Sequence, residues 1–126
     1  MTNQDTLFDH DTDEELILKR SIKELELWIS EVNYLIEECD KFAKLASNSF
    51  KKRELRDRFL EMIDVNYAFR NQLDAYKNEI PKYKECNDLA CDLFYINKHE
   101  SIRNHYHNNL LTYRNLKLLF FNDVLR

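Results

Sequence analysis

The 126-residue chain contains no glycine and a single proline. Missing glycine excludes the Gly-rich phosphate loops, the dinucleotide-binding turn and the tight glycine turns that close β-hairpins. One proline leaves long uninterrupted helices available. No apolar run approaches the roughly 20 residues that a membrane-spanning helix needs. A basic excess is also missing: 19 Lys and Arg against 23 Asp and Glu give a formal charge of −4. That balance makes nucleic-acid binding an unfavoured reading, because a surface that tracks phosphates carries net positive charge. Three cysteines, an odd number, sit among apolar neighbours and read as buried thiols in a reducing compartment. The first 15 residues hold six acidic groups and no Lys or Arg, the reverse of a secretory leader. A soluble cytoplasmic protein is the expectation, with no membrane association and no cofactor.

What is present is helical periodicity. Leu18, Ile22, Leu25, Ile29, Val32, Ile36, Cys39, Ala43 and Ala46 are spaced alternately by four and three, the seam of a helix packed on other helices. A second stretch repeats the pattern through Leu55, Phe59, Met62, Asn66, Phe69, Leu73, Tyr76 and Ile80. The fold class that follows is all-α, an antiparallel up-down bundle of three long helices. Residues 1–12 read as an acidic, frayed segment, with Leu7 and Phe8 available to staple back, and residues 13–126 as one helical-bundle domain. Helix 1 is predicted to begin near Asp13, and Ser49 is the expected cap of helix 2. Asn78 is the expected C-cap of helix 2, with helix 3 starting near Pro81. Asn66 is polar within an apolar seam. It either fixes register, with Asn33 or Tyr34 as partner in an antiparallel hairpin, or lies wetted at the edge.

The third segment is less regular. Leu89 to Ile96 is apolar except for Asp92 and is expected to be the most enclosed part of the fold. Polar residues 97–109 interrupt it, although a stripe through Tyr95, His99, Ile102, Tyr106, Leu110 and Tyr113 crosses them. One long helix is preferred, and a break near Asn97 to Ser101, giving four helices, is the alternative.

Chemistry is hard to find. No histidine has a glutamate three residues before it, as a dimetal bundle site requires, and no two histidines lie three or four apart. His99, His105 and His107 read as surface residues. Cys86 and Cys91 are five apart and would diverge on a helix, which gives no zinc motif. No nucleophile motif is present, so the chain reads as a non-enzyme.

Two weak features remain. Leu27 and Tyr34 lie off the helix 1 seam, and Leu60, Ile63 and Tyr67 widen the helix 2 stripe, together offering apolar surface to a protein partner or to a second copy in a homodimer. Lys51, Lys52, Arg53 and Arg56 cluster at the start of helix 2 and could receive an acidic or phosphate-bearing partner. The sequence therefore favours a non-catalytic interaction or assembly module, with a small-ligand or nucleic-acid-associated regulator acting through the basic pole as the alternative.

Overall fold

The structure, a computed structural model, describes residues 13–126. The expected staple by Leu7 and Phe8 lies outside the described residues. Three long helices carry the fold: α1 (Asp13–Lys44), α2 (Arg53–Glu79) and α3 (Leu89–Val124). Cross-helix pairs set their directions. Asn33 meets Arg70 and Glu26 meets Lys77, so α2 returns along α1. Glu24 meets His99 while Glu38 meets Tyr113, so α3 runs in the sense of α1. All eight predicted seam positions of α2 are buried, and the α1 seam is buried apart from the half-buried Ile22 and Ile29. The α3 stripe faces inward along its whole length, and the helix is unbroken through residues 97–101, which removes the four-helix alternative.

Asn66 divides the core. It is 0% exposed, so the wetted-edge reading fails. Its partner is neither Asn33 nor Tyr34. Asn109 on α3 donates to its Oδ1 at 2.7 Å, and its own amide donates to the Met62 carbonyl at 2.9 Å. A two-helix argument could not supply that partner, since the third helix brings it. On one side of this amide pair lies an apolar cluster with Leu25, Trp28, Phe69, Leu73 and Tyr106. On the other lies a cluster with Cys39, Ala43, Phe59, Leu116 and Phe120.

The connections differ from expectation in ways that hydrogen bonding explains. After α1 the backbone widens into a π-helical turn, Leu45–Ser49. The amides of Phe50 and Lys52 then satisfy the carbonyls of Leu45 and Ala46. Lys51 takes the left-handed conformation (φ 56°) that reverses the chain, a role glycine would ordinarily fill. Helix α2 thus begins at Arg53 after Lys52, without a side-chain cap, and Ser49 belongs to the preceding turn. Asn78 is not a C-cap either, because α2 continues through Glu79 into a 3₁₀ helix, Ile80–Glu85, that contains Pro81. The start of α3 moves to Leu89, where the Asp88 carboxylate accepts from the Cys91 amide at 2.8 Å.

Two further expectations are overturned at this junction. Leu89 is 70% exposed, and Leu93, Phe94 and Ile96 are exposed as well. Within this run only Tyr95 is buried, because a helix that packs on one side can enclose only one stripe. Cys86 and Cys91 form a disulfide. Their divergence on a continuous helix does not apply, since Cys86 precedes α3 in an extended conformation that turns it toward Cys91. Cys39 alone fits the buried-thiol reading, its pKa pushed up to about 12 by burial first and then by the Glu38 charge.

Candidate functional site

Helix geometry sorts the sequence-singled residues into separate surfaces. Ile63 and Tyr67, one turn apart on α2, face α1 across a groove of about 450 Å³ completed by Ile36, Glu37, Asp40 and Lys41. Leu60, three residues before Ile63, is exposed on the same helix. Leu27 and Tyr34 are 57% and 64% exposed. Tyr34 is seven residues before Lys41 and so lies on the side of α1 that carries that rim residue, outside the groove's own lining. The apolar candidates thus divide into a groove and an exposed stripe, Leu27 and Tyr34, in line with its Lys41 rim.

The basic pole is partly internally matched. Lys52 pairs with Asp123 at 3.4 Å and Arg56 with Asp57 at 2.8 Å. These pairs lower the net positive field that an incoming anion would meet.

The most organised polar chemistry lies in a place the sequence reading assigned to solvent. His99 is only 6% exposed. Its ring stacks on Trp28 with centroids 5.3 Å apart. The Tyr76 hydroxyl lies 3.1 Å from His99 Nδ1, and Glu24 Oε1 lies 2.9 Å from Nε2. A ring with its proton on Nε2 satisfies both contacts, donating to Glu24 and accepting from Tyr76. Arg103 donates to both Glu24 oxygens, at 2.6 and 3.1 Å, and also to Glu100. Arg103 holds the Glu24 carboxyl below its ordinary pKa, assisted by His99 and opposed by burial. Burial pushes the Tyr76 hydroxyl well above its ordinary range, so it stays protonated and donates rather than attacks. The cluster joins all three helices. The stripe through Tyr95, His99 and Ile102 carried the signal for it, and the histidine's residue type argued against burial.

Beside this cluster a cleft of about 140 Å³ is lined by Ile17, Ile80, Tyr83, Tyr95 and Ile96 together with Tyr76, His99, Glu100 and Arg103. His105 and His107 are exposed, as expected, and His105 lies against Phe69. No group of three or more His, Cys, Asp or Glu side chains among the described residues is arranged to hold a metal ion. No helix among them is long and apolar enough to cross a membrane. Neither a protein-family model, nor a curated protein, nor a solved structure matches this chain.

Proposed function

We propose that this chain is a non-catalytic protein-interaction or assembly module whose docking surface is the groove between α1 and α2. The observation that carries this reading is the convergence of Ile36, Ile63 and Tyr67 on an open groove rimmed by Glu37, Asp40 and Lys41. An apolar floor with a charged rim suits an amphipathic helix of a partner protein or of a second copy. Leu27 and Tyr34 offer a further contact on the outer face of α1.

A photo-crosslinking side chain placed at Tyr67 tests the reading. The expected result is a discrete adduct, with the partner or with a second copy, that disappears when Ile63→Asp is added and survives a control label at Asn115. Equal labelling from both positions, or no adduct from Tyr67, would refute it.

The Cys86–Cys91 disulfide supports an oxidising setting rather than the reducing cytoplasm, where such bonds are rare. Alkylation of freshly isolated protein should therefore modify neither Cys86 nor Cys91 before reduction, and two alkylated thiols at these positions would contradict that setting.

A further inference from the structure

We propose that the outward face of α3 is a self-docking surface, on which a second copy of this chain lies antiparallel about a two-fold axis through His107. This face is distinct from the groove between α1 and α2, and neither reading depends on the other.

Helix α3 is apolar on two sides. Its inner stripe, with Tyr95, Ile102, Tyr113, Leu116 and Phe120, is buried in the core. A second stripe begins at Leu89 and ends at the C-cap Leu125, about ten helical turns later, in steps of three or four residues. At about 3.6 residues per turn its members stay within roughly 80° of the helix circumference, so the stripe runs straight along the outer side. All seven of its large apolar residues are exposed. That much exposed apolar surface on one line marks an interaction face.

The order of residues along the stripe says what covers it. Read outward from His107, the chemistry repeats in both directions: Leu125 is as far after His107 as Leu89 is before it, Phe121 answers Leu93, and Leu118 answers Ile96. Nearer the centre, Arg114 answers Glu100. A two-fold axis at His107 therefore brings apolar onto apolar at both ends and each acid onto a base. A parallel pair in register would set Glu100 against Glu100 and Arg114 against Arg114, which charge repulsion opposes. An unrelated partner would need no such symmetry.

The charges suit this pairing. Arg114 is exposed and makes no ion pair among the described residues. Glu100 shares Arg103 with Glu24, so these three groups hold one net negative charge that the second copy's Arg114 offsets. Arg103 and Leu111 form the one mismatched pair. Arg103 commits its guanidinium to Glu24 and Glu100, which leaves its methylene stem to meet Leu111. A strip about 54 Å long and about 10 Å wide covers roughly 500 Å² on each copy, which reaches the roughly 1,000 Å² total of a specific interface.

Cysteine cross-linking in the full-length protein tests the axis and the direction together. In a buffer of reduced and oxidised glutathione, His107→Cys is expected to form a covalent dimer, because the two copies of this position meet at the axis. Leu118→Cys is expected to form none, since its two copies lie about 33 Å apart in the antiparallel pair. Both positions are exposed, so neither change threatens the fold. No covalent dimer from His107→Cys, or equal yields from the two variants, would overturn the proposal. Sedimentation equilibrium reads the charge pairing: Arg114→Glu should weaken dimerisation about tenfold at low salt and by less at high salt. An unchanged dimerisation constant in that variant would overturn the proposal as well.

Discussion

The two halves of the core, separated by the Asn66–Asn109 bond, are built from different chemistry. Toward the π-helical turn the contacts are rings on rings. Phe42 stacks on Phe59, and Phe120 meets both edge-on, with centroids 5.2 to 5.8 Å apart. The polar link there, Tyr113 to Glu38, lies at the margin with Lys117 over the tyrosine ring. Toward the 3₁₀ helix, the aromatic packing of Trp28, Tyr76 and Tyr106 is threaded by Glu24, His99 and Arg103. The first half needs only apolar volume at the correct period. The second needs each donor to find its acceptor across helices far apart in sequence, and the open cleft lies on that half.

The largest expected effect breaks the ring-packed half. Phe59→Ala removes a fully buried ring and should cost about 3 to 5 kcal/mol, read as a lowered urea midpoint. The loss should be the same near neutrality and in mild acid, because the ring contacts of Phe59 are with Phe42 and Phe120, which do not titrate. Next is the divider. Asn109→Leu strands the buried Asn66 oxygen and should cost about 1 to 3 kcal/mol. Adding Asn66→Leu should recover much of that loss, while amide exchange shows whether the two halves still open together.

Acid probes the polar half. Glu24 has its pKa lowered in the folded state, chiefly by Arg103, so its stabilising contribution is present above the ordinary carboxylate value and is lost as pH falls through the native value. Thermal melts in Glu24→Gln should therefore show a flatter decline with acid than the parent. The effect is modest, because the carboxylate is about a third exposed and screened by solvent. The smallest effects fall outside both halves: Leu27→Ser and Tyr34→Ser should each leave the unfolding free energy from urea titration within about 0.5 kcal/mol of the parent. A reactivity measurement completes the comparison. Cys39, buried with its pKa near 12, should resist alkylation at pH 8 until the protein unfolds.

These contrasts explain what could be read in advance. The α2 seam from Leu55 to Ile80 was legible because a buried stripe must recur at the helical period, whatever it packs against. The run from Leu89 to Ile96 misled because apolar composition without a phase does not say which side faces inward. His99 was on a correctly drawn stripe and was still assigned to solvent, because an isolated polar residue is buried only when partners compensate it. Those partners, Tyr76 and Glu24, lie 23 and 75 residues away. The same reason hid Asn109 as the partner of Asn66, 43 residues distant. For the candidate surfaces, the α2 stripe pointed to Ile63 and Tyr67, but their meeting with Ile36 across a groove depended on how the hairpin closes.

The sequence by itself determined that this chain is helical and which face of α1 and α2 is buried, while the unbroken α3 came from the structure. Hydrophobic period and the missing glycine act locally and need no knowledge of neighbours. Only the tertiary structure decided the Asn66–Asn109 bond, the burial of His99, the Cys86–Cys91 disulfide and the two open clefts. Each of these depends on the distance and angle between groups remote along the chain or across a turn, quantities that residue spacing on a single helix does not contain.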